Sequence, residues 1–350
     1  MSTKKVLVAL SGGVDSSVAV ELLRRQGYEV EGIILEFSPV HAAAVQAAQV
    51  VAQQLDVKLH VVRCHEEFEQ NVILPFCREY RAGRTPNPCI FCNPTTKFGI
   101  ICRFAKEHGF DYIATGHYAR VDHLPDGTAV LQKSSCLERD QSYMLYRLTQ
   151  EQLSMLLLPL EGLEKPQVRQ IAREMGLACA DAPDSQEICW LPDGDYPSFV
   201  EQKLGKCPVG DFVAPDGSVC GRHKGLIHYT VGQRKRLGIA LGYPVFIKEI
   251  DPASNRIYLA RTGEEYADGV LLQDCVIQPN PHLSVENPTA KVSVKVRSRA
   301  SDAPATVTLL PDGQMRVVFD TPQRAPAPGQ SCVLYDGTAV LGGGYIQKQL

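Results

Sequence analysis

VLVALSGGVDSS, residues Val6–Ser17, is the stretch that decides how the first half of this chain folds. Its apolar first half is typical of a buried parallel strand. Val14, Val18 and Leu22 then recur at four-residue intervals, which predicts an amphipathic helix. The glycines at the turn let a backbone approach a ligand closely, and the helix N-terminus offers unpaired N–H groups to an anion. The stretch therefore predicts a phosphate-binding strand–turn–helix unit.

The loop differs from the Walker P-loop, because it lacks the lysine and the spacing of that motif. It therefore does not indicate simple transfer of a γ-phosphate. Ser11, Asp15 and Ser16 flank the glycines, where hydroxyl groups and a Mg²⁺-ligating carboxylate would be needed. An ordinary glycine-rich turn is the alternative interpretation.

Strand-like and helix-like segments alternate after this loop. The predicted strands are Tyr28–Leu35, Lys58–Val62 and Tyr112–Thr115, and the predicted helices are His41–Leu55, Ile100–His108 and Glu164–Gly176. Alternation at this spacing predicts βαβ units in an α/β doubly wound parallel sheet, with ligands at the carboxyl ends of the strands.

The pattern changes near residue 205, where short alternating runs are separated by turns such as Pro215-Asp216-Gly217. Such a pattern predicts an all-β fold. A chain of 350 residues is long enough for several domains. We expect a catalytic domain over residues 1–204, a small central β-rich domain over 205–268 and a C-terminal β-barrel over 269–350.

The formal net charge of −3 argues against a uniformly basic surface, although it leaves room for local basic patches. The sequence contains 12 cysteines. In a reducing compartment these are expected to be thiols, metal ligands or catalytic groups rather than structural disulfides. Because no apolar run is long enough to span a bilayer, we expect a cytoplasmic protein with no membrane partner.

Two cysteine-containing stretches carry further candidate chemistry. GRTPNPCIFCN (Gly83–Asn93) has a C-x-x-C pair in a segment that its prolines are expected to hold extended. Such a pair indicates half a zinc site, a redox pair or half an iron–sulfur site, and the lack of a second C-x-x-C disfavours plain structural zinc. DSQEICW (Asp184–Trp190) is weaker, because a cysteine beside apolar residues is usually a small buried hydrophobe.

Seven motifs in one order together resemble the tRNA-specific 2-thiouridylase family of N-type ATP pyrophosphatases, over essentially the whole chain. They are SGGVDSS (Ser11–Ser17), GRTPNPCIFCN (Gly83–Asn93), ATGHYA (Ala114–Ala119), RDQSY (Arg139–Tyr143), DSQEIC (Asp184–Cys189), TVGQRKRLGI (Thr230–Ile239) and LGGGYI (Leu341–Ile346). The resemblance implies a first domain of the adenine nucleotide α-hydrolase type. It also implies a sulfurtransferase that adenylates the O2 atom of uridine 34 in the tRNA anticodon with ATP, releasing pyrophosphate. Persulfide sulfur then replaces the oxygen, which leaves with AMP.

The resemblance further implies roles for individual residues. Cys189 would receive sulfur from a persulfide donor downstream of a cysteine desulfurase, and Cys92 would complete its release, leaving a Cys92–Cys189 disulfide. ATP, with Mg²⁺, would bind at Ala9, Leu10, Ser11, Gly12, Gly13, Val14, Asp15, Ser16, Leu35 and Gly116. A tRNA with an anticodon of the Lys, Glu or Gln type would contact Asn87, Pro88, Cys89, His117, Arg139, Asp140, Gln141, Arg297, Ser298 and Gln330.

The sequence departs from the family pattern at several positions. Cys89 stands where many members have Asp, Leu35 where they have Met, and Ser298 where they have Tyr. With a cysteine at position 89, the thiols of Cys89, Cys92 and Cys189 are also candidate ligands for three irons of a [4Fe–4S] cluster. An open fourth iron would then hold the sulfide for transfer.

Two other functions stay open on the residues alone. An ATP-pyrophosphatase synthetase or amidotransferase that acts on a small molecule would not need Cys92 or Cys189. A non-enzymatic RNA-binding or iron–sulfur protein would not need the intact Ser11–Ser17 loop.

The segment Lys291–Arg299 supports contact with RNA. Its cations fall at odd positions and its valines at even ones, so a strand would place the charges on one face and the valines in the core. Four cations without a carboxylate are typical of a phosphate-binding face. A solvated strand face is the alternative.

Overall fold

The computed structural model describes residues 3–183, 188–191 and 193–350. The chain forms two compact units. The first comprises residues 1–72, 89–192 and 338–340, and the second comprises 73–88, 193–337 and 341–350. The predicted boundaries at 205 and 269 stay a prediction. Four residues of the DSQEICW motif, 184–187, lie outside the described residues.

The first unit is built on a five-stranded parallel sheet with the strand order β3-β2-β1-β4-β7. These strands are β1 (Lys5–Ala9), β2 (Glu29–Glu36), β3 (Leu59–Arg63), β4 (Tyr112–Ala114) and β7 (Leu156–Leu157), and a hairpin joins β5 (Arg120–His123) to β6 (Ala129–Gln132). The predicted doubly wound parallel sheet is confirmed.

The described residues contain ten α-helices. They are α1 (Val14–Arg25), α2 (Ala42–Gln54), α3 (His65–Phe68), α4 (Leu74–Arg81), α5 (Pro88–Cys92), α6 (Phe98–Glu107), α7 (Ser142–Leu145), α8 (Gln150–Met155), α9 (Lys165–Glu174) and α10 (Tyr196–Leu204). None of the helices among the described residues is long and apolar enough to cross a membrane.

The predicted elements of the first unit agree with the observed ones to within about two residues at their ends. In helix α9, capping residues explain why both ends could be predicted from the sequence. Glu164 caps its N-terminus in a reciprocal capping box with Gln167, Pro166 lies in the first turn, and Gly176 follows the helix with a φ of +66°.

One local expectation is wrong. The segment around Pro88 is not extended, because Pro88 begins the short helix α5, which carries both cysteines of the C-x-x-C pair. A π-helical turn over Asn93–Lys97 then continues into α6. Proline is well tolerated at the first position of a helix, where its missing N–H has no intrahelical acceptor. The helix brings Cys89 and Cys92 onto one turn.

The second unit is rich in β-structure, as predicted. Its first sheet has the order β10-β11-β8-β9, made of β8 (Gly210–Val213), β9 (Val219–His223), β10 (Val245–Asp251) and β11 (Arg256–Arg261). Its antiparallel barrel has the order β12-β15-β14-β13-β16-β17, and pairing of β17 with β12 closes it. The barrel strands are β12 (Tyr266–Ile277), β13 (Thr289–Lys295), β14 (Ala303–Leu309), β15 (Met315–Arg324), β16 (Ser331–Asp336) and β17 (Ala339–Gln349).

The segment Lys291–Arg299 alternates as predicted, since Val292, Val294 and Val296 are all buried in the barrel core. The segment itself contains no carboxylate, but the fold brings two carboxylates to its cations. Lys291 pairs with Asp320 of β15 at 3.0 Å, and Lys295 lies 4.0 Å from Asp302. Both carboxylates lie outside the segment, so the segment alone does not reveal them. This face is a mixed, partly neutralised surface.

We expect Val8→Ala to destabilise the first unit, because Val8 is fully buried in the central strand β1. Removing two methyl groups there and leaving a cavity costs about 2 kcal/mol. The matched control is Val61→Ala in β3 of the same sheet, where the valine is 41% exposed and the cost is a few tenths of a kcal/mol. Chemical denaturation followed by circular dichroism measures both, and equal losses would contradict the assigned core.

Candidate active site

The site begins at the carboxyl end of β1, between its two parallel neighbours. The chain passes from β1 to β2 on one side and returns to β4 on the other. In an open parallel sheet, ligands bind in the crevice where the strand order reverses in this way. The Ser11–Ser17 loop follows β1 and the segment after Ala114 follows β4, so both reach this crevice.

Glycine is required at position 12 of the loop. Gly12 has a φ of +79°, and a Cβ atom there would lie 2.8 Å from the backbone of Ala47. Side chains rarely adopt this φ, and the helix carrying Ala47 leaves no space for one. The loop therefore keeps this conformation only with glycine at position 12, which leaves the backbone without a side chain at this point.

Serine hydroxyls hold the loop against the start of α1. Ser16 and Ser17 donate to the carbonyl of Gly13 at 3.1 and 2.8 Å, and the Ser11 and Ser16 hydroxyls lie 3.2 Å apart. The first-turn N–H groups of a helix have no intrahelical acceptor. These N–H groups and the positive end of the helix dipole can together bind a phosphate group. The predicted phosphate loop thus has a suitable donor set.

Gly116 lies directly against this loop, and its predicted role in nucleotide binding stays a prediction. A Cβ atom on Gly116 would lie 2.8 Å from the backbone atoms of both Asp15 and Ser16. Any side chain would push the segment after β4 away from α1. Leu35 is buried near the carboxyl end of the adjacent strand β2, consistent with an apolar surface.

Lys165 is a site residue that the sequence analysis missed. Its ammonium donates to both carboxylate oxygens of Asp15 at 2.8 Å, and the Tyr118 hydroxyl donates to Asp15 Oδ1 at 2.7 Å. The Lys165 side chain is only 7% exposed. One signal was available, because a lysine in the first turn of a helix opposes the helix dipole and needs another reason to be there.

The donor set does not fit the expected Mg²⁺ ligation by Asp15. Both oxygens of this carboxylate already accept hydrogen bonds from an ammonium. Across residues 3–183, 188–191 and 193–350, no group of three or more His, Cys, Asp or Glu side chains is placed to hold a metal ion. Mg²⁺ is normally held largely by water and nucleotide phosphates.

The predicted cysteines interact electrostatically with one another and with Lys97. Burial raises the pKa of the Cys189 thiol to about 11 and raises the pKa values of Cys92 and Cys89 as well. The positive charge of Lys97 opposes all three increases. Burial in turn lowers the pKa of Lys97. The thiols therefore rest in their neutral form, with the half-buried amine of Lys97 as a nearby source of positive charge.

Lys97 also connects this cluster to the nucleotide side. Its ammonium lies 3.3 Å from His117 Nε2, and His117 Nδ1 lies 2.7 Å from the hydroxyl of Thr115. Burial and the charge of Lys97 hold the pKa of His117 well below its usual range. We assign a neutral imidazole that accepts at Nε2 from Lys97 and donates from Nδ1 to Thr115.

All twelve cysteines are free, so the Cys92–Cys189 disulfide implied by the resemblance is not formed in this structure. The cluster ligation considered for Cys89, Cys92 and Cys189 does not fit either. Their thiols are not among the arrangements that could hold a metal within the described part of the chain.

The RDQSY motif mainly supports the segment after β4. Gln141 exchanges two hydrogen bonds with the backbone of Tyr118, at 2.8 and 2.9 Å. Asp140 accepts from Ser134 and Ser142. Of these three expected tRNA contacts, Arg139 is exposed, whereas Asp140 and Gln141 are half-buried.

The remaining expected tRNA residues, Asn87, Pro88, Arg297, Ser298 and Gln330, belong to the second unit. Gln330 donates to the carbonyl of Thr85 at 2.8 Å. Arg297 donates to the carbonyls of Ala325 and Val231 at 2.6 and 3.3 Å. Both side chains thus make structural contacts within the second unit.

Comparison with known families covers almost the whole chain. The tRNA methyl transferase HUP domain family matches residues 4–193, the tRNA methyl transferase PRC-barrel domain family residues 197–261, and the aminomethyltransferase β-barrel domain family residues 273–346.

Individual relatives agree with these matches. The tRNA-specific 2-thiouridylase MnmA of Acetivibrio thermocellus is 45% identical over 99% of this chain and 100% of its own length. The protein of the same name from Clostridioides difficile is 42% identical over 99% of both chains. A solved 4-thiouridine synthetase–RNA complex with bound ATP is 19% identical over 57% of this chain and 50% of its own, and its TM-score of 0.37 is too low to extend the comparison. This chain belongs to the tRNA-specific 2-thiouridylase family.

Proposed function

We propose that this protein is a sulfurtransferase that uses ATP to thiolate C2 of uridine 34 in tRNA. One chain of contacts supports this most directly. Gly116 packs on the phosphate loop at Asp15 and Ser16, and the next residue, His117, contacts Lys97, which interacts with the cysteines. A short series of contacts therefore connects the candidate phosphate site to a pair of candidate sulfur carriers.

The first half-reaction uses the phosphate loop. The uridine O2 atom attacks the α-phosphorus of ATP, pyrophosphate leaves, and the base becomes adenylated. N–H groups at the start of α1 hold the pyrophosphate as negative charge develops on it. The glycines at 12 and 116 matter because they keep the loop and the opposing segment close.

The second half-reaction uses the cysteines. The terminal sulfur of a Cys189 persulfide attacks C2, and the oxygen leaves with AMP. Cys92 thiolate then attacks Sγ of Cys189, which releases the thiolated base and forms a Cys92–Cys189 disulfide. Two thiol groups of an external reductant then restore the free thiols: the first forms a mixed disulfide, the second displaces it, and the reductant leaves as a disulfide.

Deprotonation is the main chemical difficulty, because burial stabilises the neutral thiols. Lys97 stabilises the thiolate through its positive charge, and His117 keeps the ammonium in place by accepting from it at Nε2. Low reactivity at rest protects the thiols until substrate and donor are bound.

The second unit offers a surface for RNA at residues 234–236. Arg234, Lys235 and Arg236 are exposed, and Arg234 lies 5.9 Å from the ring centre of Phe246. Arginine beside an aromatic ring is common on surfaces that bind phosphates and bases. These three cations are better candidates for phosphate contact than the paired Lys291.

We further infer a persulfide donor downstream of a cysteine desulfurase, MgATP as the nucleotide substrate, and a cytoplasmic setting. Catalytic thiols that an external thiol must restore after each turnover require a reducing compartment. The deciding experiment is mass spectrometry of tRNA after incubation with the protein, MgATP and a persulfide donor. Appearance of 2-thiouridine at position 34 supports the proposal, and ATP cleavage driven by a small metabolite without tRNA would refute it.

We expect Cys92→Ser and Cys189→Ser each to abolish thiolation, because each removes a sulfur that the second half-reaction requires. The matched control is Cys136→Ser, a half-buried free cysteine of the same unit, which retains activity. Cys89→Ser separates persulfide from cluster chemistry when combined with iron and sulfide analysis after anaerobic purification. Loss of activity in this variant together with bound iron would favour the cluster, and full activity of either of the first two variants would contradict both routes.

The pKa directions predict slow alkylation of Cys189. Its thiolate fraction increases about tenfold per pH unit until the pH approaches its pKa of about 11, whereas an ordinary thiol levels off near pH 8.5. Lys97→Met removes a charge that lowers this pKa, so alkylation becomes slower at every pH below it. Iodoacetamide labelling followed by peptide mass spectrometry measures both, with N-acetylcysteine as the reference. Faster labelling in the Lys97 variant would reverse the assigned electrostatics.

We expect the triple variant Arg234→Ala, Lys235→Ala and Arg236→Ala to weaken tRNA binding and flatten its salt dependence. Each lost phosphate contact reduces the slope of log affinity against log salt by roughly 0.7–0.9. Lys291→Ala is the matched control, because its ammonium is already paired with Asp320. Fluorescence anisotropy at several salt concentrations gives the slopes, and an unchanged slope in the triple variant would remove this surface from the RNA interface.

A further inference from the structure

We propose that Lys165 is a positioning residue that neutralises Asp15, so that the start of α1 can accept the polyphosphate of ATP. This inference rests on the proposed function and assigns a role to a residue outside the recognised motifs. Its basis is the geometry of one ion pair at the phosphate loop.

The carboxylate of Asp15 presents an electrostatic problem. It lies in the first turn of α1, next to the N–H groups that are to hold a phosphate. A carboxylate there is favourable for the free helix, since it complements the dipole. A second anion is then repelled by it, and the repulsion is strong where protein limits the access of water.

Lys165 removes that repulsion. Its ammonium lies 2.8 Å from each oxygen of Asp15, which makes a symmetric, two-contact pair. The lysine side chain is 7% exposed and the carboxylate side chain 32%. Solvent and ligands therefore reach the pair from the side of the carboxylate. The pair as a whole has no net charge, and the dipole of α1 is again available to the incoming anion.

The position of the lysine in the fold supports this role over direct contact with phosphate. Lys165 opens α9, and α9 packs on α1, so the ammonium approaches from the protein interior. Tyr118 also donates to the same carboxylate at 2.7 Å and helps to keep its orientation. Asp15 thus connects α1 and α9, and the exposed edge of the loop stays free for the nucleotide.

The test is a charge cycle of four proteins: the unaltered chain, Lys165→Met, Asp15→Asn, and the double variant. Lys165→Met leaves a bare carboxylate at the phosphate site, and we expect the Kd for MgATP to increase roughly tenfold or more. Asp15→Asn together with Lys165→Met is neutral again, and we expect its Kd to return to within about threefold of the unaltered protein. Isothermal titration calorimetry measures the four values.

The double variant decides the outcome even where Lys165→Met fails to fold. If Lys165 instead contacts phosphate directly, the double variant binds MgATP as weakly as Lys165→Met, and that result would overturn the inference. Thermal unfolding midpoints check that the variants are folded. Failure of the unaltered protein to bind MgATP would count against the proposed function itself, which keeps the two failures distinct.

Discussion

The site depends on one close approach between two backbones. Parallel pairing of β4 with β1 carries the residues after Ala114 to the start of α1, where Gly116 faces the backbone of Asp15 and Ser16. A Cβ atom would fit only at 2.8 Å from those atoms, well inside van der Waals contact. Because glycine permits the approach, His117 reaches Lys97, and the phosphate loop and the cysteines share one region of the first unit.

Two lysines balance the charges of this region in different ways. Lys165 forms a close ion pair with a carboxylate, which leaves a neutral loop beside the helix dipole. Lys97 is half-buried beside thiols and a neutral imidazole, and none of the described groups that interact with it is a carboxylate. A cation in that situation is costly to bury unless an anion forms nearby. Formation of a thiolate or binding of an adenylated base would supply one.

Desolvation of the cysteines by the surrounding protein raises their pKa values, although the side chains of Cys89 and Cys189 are exposed and that of Cys92 is half-buried. The pKa of Cys189 is about 11, so almost all of this thiol is protonated near neutral pH. A thiol in this neutral form reacts slowly with oxidants and electrophiles, because the thiolate is the reactive species. The free state of all twelve cysteines agrees with such a resting form.

The sequence by itself determined the parallel sheet, the phosphate loop and the β-rich second half. These follow from local periodicity, from glycines that a tight turn requires, and from helix capping residues, all of which act within a few positions of one another. Motifs in a fixed order also singled out Gly116 and the cysteines as candidate site residues. Only the tertiary structure decided the partners. Lys165 lies 150 residues from Asp15, and Asp320 lies 29 residues from Lys291. Whether two charges compensate each other depends on their distance in the folded chain. Neither pair follows a sequence periodicity, so a single sequence does not reveal which residues pair.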